Sequence, residues 1–159
     1  MKPLNIEKVK EHIAQTSPQT GIYVGCDSRR FKSKSKWYAT YARLVLVHID
    51  SCKGVKIYGD VITLPDWGQT KARLMQEVYF ATEIAQAIAE TVGERPFEVH
   101  LDINPNPLHK SNTAMKEAMG YVRGMLGIEA KLKPHATAAS TAADLFTGKA
   151  PLYERDFSC

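Results

Sequence analysis

The chain has 159 residues, with 44% hydrophobic and 24% charged side chains and a formal net charge of +4. This length and composition fit one folded domain spanning residues 1–159, and they exclude a disordered chain and a disulfide-stabilised miniprotein. No apolar run approaches the roughly 20 residues of a membrane span, and three widely spaced cysteines favour free thiols, so we expect a cytoplasmic protein without a membrane association.

The first half of the chain is typical of a short helix followed by three strands. Apolar residues at helical spacing predict a helix from Asn5 to Gln15, within an N-terminal extension at 1–18. Three runs rich in β-branched and aromatic residues follow, each bounded by turn residues, at 21–27, 37–49 and 55–64. Because the links between these runs are short, we expect an antiparallel meander.

The second half of the chain alternates between helices and strands. The patterns predict helices at about 70–91, 111–126 and 136–148, strands at 97–103 and 128–133, and a tail at 149–159. Ser111 or Asn112 is expected to cap the second of these helices. The full order, βββαβαβα after the N-terminal helix, predicts an α/β fold with a mixed five-stranded sheet flanked by helices. The first and fourth strands should be parallel neighbours, because the long helix between them provides the crossover.

Positive charge is concentrated in one segment, SRRFKSKSK at 28–36, which we interpret as a loop. Its five cations exceed the net charge of +4, so the rest of the chain carries −1. The five are Arg29, Arg30, Lys32, Lys34 and Lys36. Such a cluster fits contacts with nucleic-acid phosphates. A solvated hairpin tip that only adds solubility explains it equally well.

Two aspartates follow predicted strands at the point where each strand ends. Asp27 follows the first strand and Asp102 lies at the end of the fourth. If these strands are parallel neighbours, both carboxylates lie at one edge of the sheet, which is a recurrent position for sites in α/β proteins. Each aspartate taken singly is more often a turn residue.

A glutamate lies on the apolar side of the long predicted helix. Helical spacing places Glu77 within a stripe of apolar residues and places Glu83 on the opposite side. A carboxylate on a buried stripe is costly unless it is paired or bound to a metal. A salt bridge to a buried arginine is the alternative explanation, and Glu83 replaces Glu77 as the candidate if the helix begins later.

A fourth acid, Asp144, lies in the small-residue segment ATAASTAADLF, which predicts a helix able to approach the sheet closely. Clustered carboxylates repel one another unless cations neutralise them. Mg²⁺ and Mn²⁺ favour such oxygen ligands, and two such ions about 4 Å apart would support phosphodiester hydrolysis. The four acids therefore predict a two-metal site.

The order of elements and acids resembles the ribonuclease H-like superfamily. Within it, the chain is similar to the YkuK-type family of predicted ribonuclease H-related nucleases. The matching segments are GIYVGCDS, VHLDINPNPLHKSN and KPHATAASTAAD, at 21–28, 99–112 and 133–144. The resemblance implies that Asp27, Asp102 and Asp144 are metal-binding and catalytic, with Glu77 as our choice for the helix glutamate. Cys26 stands where that superfamily more commonly has threonine.

Several polar residues near these acids are candidates for supporting roles. The residues around the Asp102 turn are candidates for binding phosphate or orienting water; they are Asn104, His109, Lys110 and Asn112. Loop closure and helix capping are the alternative roles for the same residues. His135, just before the last predicted helix, is a candidate for proton transfer or product release, and a bystander loop histidine is the alternative.

These features indicate a metal-dependent nuclease that acts on nucleic acid, with RNA or an RNA–DNA hybrid as the favoured substrate. Two alternatives stay open: a catalytically inactive module of the same fold that binds nucleic acid or a protein partner, and a structure-selective DNA nuclease. An inactive module would have little reason to keep an acid on the apolar stripe unless an arginine pairs with it. The sequence gives no indication of the oligomeric state.

Overall fold

As far as residue 126, the chain folds into strands and helices in the predicted order. The structure, a computed structural model, describes residues 2–109, 112, 114–136 and 138. Within that part the strands are β1 (Gly21–Ser33), β2 (Lys36–His48), β3 (Val55–Pro65) and β4 (Phe97–Leu101), and the α-helices are α1 (Ile6–Ala14), α2 (Thr70–Val92) and α3 (Met115–Leu126). The predicted last helix lies largely outside the described residues, and the predicted tail lies wholly outside them.

The strands form a mixed sheet in the order β3-β2-β1-β4. β1 pairs antiparallel with β2, and β2 pairs antiparallel with β3, which confirms the predicted meander. β4 pairs parallel with β1, with Ile22 opposite Phe97 and Cys26 opposite Leu101. Parallel neighbours need a crossover connection, and α2 provides it. The predicted adjacency of the first and fourth strands is therefore confirmed.

The prediction of a fifth strand at 128–133 is wrong, because the described part of the sheet has four strands. Lys131 forms a single parallel bridge with His100, and its N–H donates to the Val99 carbonyl at 2.8 Å. The segment is confined between Gly127, which has a φ of 70°, and Pro134, which has no N–H to donate. It lies along β4 without extending into a regular ladder.

The interpretation of the basic segment as a loop is also wrong. β1 and β2 continue as a paired hairpin as far as Ser33 opposite Lys36, so the cations belong to strands rather than to a loop. Only Lys34 and Ser35 form the turn, and both have positive φ, at 45° and 67°. Charged side chains are tolerated here because both faces of this part of the hairpin are exposed.

The main core lies between one face of the sheet and the helices. Ile22, Val24 and Cys26 alternate along β1 and are buried against the apolar side of α2. The buried residues of that helix are Leu74, Met75, Glu77, Val78, Ala81, Thr82, Ile84, Ala85, Ile88 and Val92. A smaller cluster on the opposite face includes Leu44 and Ala138. The helix stripe is thus buried as predicted, and Glu77 is buried with it.

The turn at Lys34 and Ser35 generates a stability prediction. Ser35→Gly is expected to raise the free energy of unfolding by about 0.5 kcal/mol, because glycine adopts positive φ without the steric cost of a side chain. Urea denaturation measures this change. Ser33→Gly is the matched control, since Ser33 lies in β1 and needs no positive φ, and it should be destabilising. Equal destabilisation by both variants would contradict a strained turn.

Candidate active site

Asp27 and Asp102 lie at the same level of two neighbouring strands. The last parallel pair of β1 and β4 is Cys26 with Leu101, and each aspartate is the next residue along its chain. Adjacent strands are about 4.8 Å apart, so the two backbones are close at this level. Contrary to prediction, Asp27 does not end its strand, because β1 continues to Ser33. The two acids instead mark the point where β4 ends and β1 continues without it.

Glu77 reaches β1 from α2 and is only 5% exposed. The Ser28 hydroxyl donates a hydrogen bond to Glu77 Oε1, and the Ser28 backbone N–H also donates to this carboxyl group. Burial, followed by the charge of Asp27, raises the pKa of Glu77 to about 8. Arg73 opposes this shift through longer-range electrostatics rather than through a hydrogen bond. The carboxyl group therefore lies where negative charge is costly, next to a second acid.

Glu83 lies elsewhere on α2. It is exposed, and its charge acts on Arg43. Glu77 is the helix glutamate that the fold brings to Asp27, and its neighbour in contact is a serine rather than a buried arginine. The placement follows from the period of the helix, because Glu77 shares the buried side with Leu74 and Val78.

Asp102 is accompanied by a lysine that the sequence analysis did not select. The Lys133 ammonium lies 2.5 Å from Asp102 Oδ1 and forms an ion pair with it. Oδ1 is nevertheless buried and accepts no aligned hydrogen bond from the residues that the structure describes. Lys133 reaches Asp102 because its segment runs beside β4, where its N–H donates to the Ile103 carbonyl. The alternation of basic and apolar residues at 128–133 is the sequence feature that could have pointed to Lys133.

The remaining loop candidates are mostly engaged with their own loop. Asn104 Oδ1 accepts the Asn106 N–H at 2.9 Å, and Asn112 Nδ2 donates to the Pro105 carbonyl at 3.0 Å. Asn112 does not cap the helix, because α3 begins at Met115 and the side chain of Asn112 is turned to the loop carbonyls. His109 is exposed. Lys110, Ser111 and Asp144 lie outside the described residues.

His135 lies in the segment that leads from Lys133 toward Ala138. Its side chain is exposed, and its backbone N–H donates to the Leu132 carbonyl at 2.9 Å. Further on, the Ala138 N–H donates to His100 Nδ1, and His100 Nε2 lies 2.7 Å from Glu98. This contact ties the beginning of the predicted last helix to β4, the strand that precedes Asp102.

The basic hairpin, residues 28–36, has two kinds of cation. Arg30 forms an ion pair with Asp66 and lies over the Trp37 ring, with its Cζ 4.5 Å from the ring centroid. Lys32 lies 6.0 Å from the same centroid. Arg29, Lys34 and Lys36 are exposed. Two tryptophans, Trp37 and Trp67, flank these cations. The charge pattern of the sequence alone does not reveal them.

The chemistry of these side chains fits a hard divalent cation. No group of three or more histidine, cysteine, aspartate or glutamate side chains within the described residues is already arranged to hold a metal ion. The donors are carboxylate oxygens, which Mg²⁺ and Mn²⁺ prefer. Asp102 Oδ1 is buried and already lies next to one cation, the Lys133 ammonium, and Glu77 is a buried acid whose ionisation a nearby cation would favour.

Comparison with known proteins identifies the family. The family model described as Ribonuclease H-like matches residues 5–148, and the chain belongs to this ribonuclease H-like family. No curated protein and no solved structure matches the chain. None of the helices in the described residues has the length and apolar character needed to cross a membrane.

The burial of Glu77 generates a pH prediction. Its pKa rises from 4.5 to about 8 on folding, so the folded state binds more protons than the unfolded state between these values. The stability that protonated Glu77 supports is complete below pH 4.5 and is lost as the pH rises toward 8. In metal-free buffer at pH 8, Glu77→Gln should therefore raise the free energy of unfolding, by on the order of 3 kcal/mol.

Urea denaturation from pH 4.5 to pH 8 checks this prediction. The stability difference between Glu77→Gln and the parent should grow across the range. Glu83→Gln is the matched control, because Glu83 lies on the same helix and is exposed rather than buried. Parallel pH curves for Glu77→Gln and the parent would show that Glu77 is not held in a costly environment.

Proposed function

We propose that this chain is a divalent-metal-dependent nuclease that hydrolyses phosphodiester bonds in nucleic acid. The proposal rests chiefly on Glu77, a buried acid held beside Asp27 at the level where β4 ends in Asp102. Burying one carboxylate next to another is unfavourable unless cations compensate the charge. Membership of the ribonuclease H-like family supports a nuclease in general.

Asp27, Glu77, Asp102 and Asp144 would hold two Mg²⁺ or Mn²⁺ ions. When bound, such ions activate a water and stabilise the leaving oxygen of a phosphodiester. Ser28 fixes the Glu77 carboxyl group through two hydrogen bonds. Lys133 compensates the charge of Asp102 in the absence of other cations. His135, which is exposed in the adjoining segment, is the candidate for proton transfer to the product.

Nucleic acid is the proposed substrate, with RNA or an RNA–DNA hybrid tested first and DNA second. The basic hairpin continues directly from Asp27, so a phosphate backbone held there lies along the same strand as Asp27. Phosphate contacts of this kind orient a strand without reading its sequence. Asn104, His109 and Lys110 are further candidates for contact with the substrate, because they follow Asp102 in the chain.

A catalytically inactive module of the same fold is the second candidate. The observation that favours it is the ion pair between Lys133 and Asp102, which already compensates one of the acids with a cation of the chain itself. Such a module would bind nucleic acid or a protein partner without metal. The two candidates differ in the response of the aspartates to substitution.

Asp27→Asn and Asp102→Asn are each expected to lower metal-dependent cleavage by about 100-fold or more. Each substitution removes an anionic oxygen ligand and keeps the shape of the side chain. The measurement is cleavage of end-labelled single-stranded RNA, RNA–DNA hybrid and DNA, with Mg²⁺ or Mn²⁺ added to the metal-free protein.

Glu83→Gln is the control for this experiment, since it removes an exposed acid from α2 and should leave cleavage unchanged. Circular dichroism verifies that each variant is folded. Cleavage by both aspartate variants at the parental rate, with either metal, would place the active site elsewhere. Absence of cleavage by the parent on all three substrates would favour the inactive module.

A further inference from the structure

Two tryptophans lie on the surface next to the basic hairpin. They are the only tryptophans in the sequence, Trp37 on β2 and Trp67 between β3 and α2. Trp67 is 87% exposed and Trp37 is 45% exposed. Single exposed apolar side chains are common on protein surfaces, whereas exposed apolar groups that lie together mark binding sites.

The two tryptophans line one hollow of about 430 Å³, which we call the tryptophan groove. Its other lining residues are Lys36, Tyr38, Pro65 and Asp66. Its aromatic rings are presented by the end of the hairpin on one side and by the segment that leads into α2 on the other. The groove thus joins flat apolar surfaces from two separate parts of the chain.

The charge of the tryptophan groove favours a polyanion. Among the described residues, Asp66 is the single acid that lines it, and Arg30 compensates that charge through their ion pair. Arg30 and Lys32 lie over the Trp37 ring, and Lys36 lines the groove itself. Cations interleaved with aromatic rings are the arrangement that binds a phosphate backbone while bases stack.

A second hollow adjoins the tryptophan groove on the side of α2. Asp66 and Trp67 line both hollows, and the second is also lined by Tyr41, Arg73 and Gln76. Tyr41 pairs across the hairpin with Ser28, the residue that donates to Glu77. Gln76 directly precedes Glu77 on α2. The lining of the second hollow thus includes the strand partner of Ser28 and the helix neighbour of Glu77.

The exposure of Trp67 determines which form of nucleic acid fits. In a duplex, the bases are stacked on one another and their flat faces are not available to a side chain. Bases of a single strand are available, and stacking on an aromatic ring contributes about 1–3 kcal/mol per base. The groove consequently suits a single strand and not a hybrid duplex.

We propose that the tryptophan groove binds single-stranded nucleic acid, with unpaired bases stacked on Trp67 and Trp37 and phosphates on the neighbouring cations. Cleavage of the bound strand rests on the proposed function, whereas binding of the strand does not. It narrows the substrate class from RNA or hybrid to an unpaired strand. RNA and DNA share this stacking chemistry, and the experiment compares them.

The test measures binding in EDTA, so that cleavage plays no part. Fluorescence anisotropy of a labelled 12-nucleotide RNA, the DNA of the same sequence and a matched hybrid duplex is recorded with the full chain. Trp67→Ala should weaken single-strand binding about 10-fold, and Trp67→Phe should restore most of it. Met125→Ala, which removes an apolar side chain 45% exposed on α3, is the control and should bind like the parent.

Intrinsic fluorescence gives a second readout, because both tryptophans line the groove. A single strand should quench this fluorescence, and the hybrid duplex should quench it less. Equal affinities for RNA and DNA would show that recognition depends on base stacking and phosphate contacts alone. A preference for RNA would show that the 2′-hydroxyl is also recognised. Either result supports the proposal.

Parental affinity in Trp67→Ala, or equal quenching by strand and duplex, would overturn the proposal. Failure of every nucleic acid to bind would also overturn it and would leave a protein partner as the occupant. The outcome is separable from that of the proposed function. If binding depends on Trp67 but no cleavage occurs, the nuclease proposal is wrong and the groove proposal stands. If the parent cleaves nucleic acid and Trp67→Ala keeps the parental affinity, kcat and KM, the groove proposal is wrong and the nuclease proposal stands.

Discussion

The burial of the Glu77 carboxyl group against β1, beside Asp27, is the constraint on which the candidate site depends. A carboxylate in this position loses its hydration and meets a like charge, so its pKa rises to about 8. Ser28 offsets part of that cost with two hydrogen bonds. The site accordingly favours binding of either a proton or a metal cation. The free energy of unfolding therefore depends on the pH and on the concentration of metal ions.

The rest of the fold brings further groups to this point. The crossover through α2 places β4 parallel to β1, so that Asp102 follows β4 at the level of Asp27. Lys133 reaches Asp102 from the segment beside β4. The same β1 continues beyond the acids into the basic hairpin, which contributes to the tryptophan groove. One long strand therefore connects the proposed metal ligands with the proposed binding surface.

The sequence was most informative where one periodic pattern decides the outcome. The helical period alone placed Glu77 among buried residues and Glu83 on the exposed side, and the crossover rule alone made β1 and β4 parallel neighbours. The hairpin was misjudged because dense charge suggests a loop, although a strand exposed on both faces tolerates it. Lys133 and Trp67 were missed because their roles depend on contacts between distant segments. The prediction of a fifth strand was wrong because Gly127 and Pro134 leave too short a segment between them for a ladder of hydrogen bonds.

The most direct test of the central claim is a crystal structure of the full chain grown with Mn²⁺, with the anomalous signal of manganese recorded. The account predicts anomalous peaks coordinated by Asp27, Glu77 and Asp102, with the Lys133 ammonium withdrawn from Asp102. Glu77→Gln crystals grown in the same way should show weaker peaks. Clear density for the carboxylates with no anomalous peak between them, and Lys133 still paired with Asp102, would contradict a metal site built on Glu77.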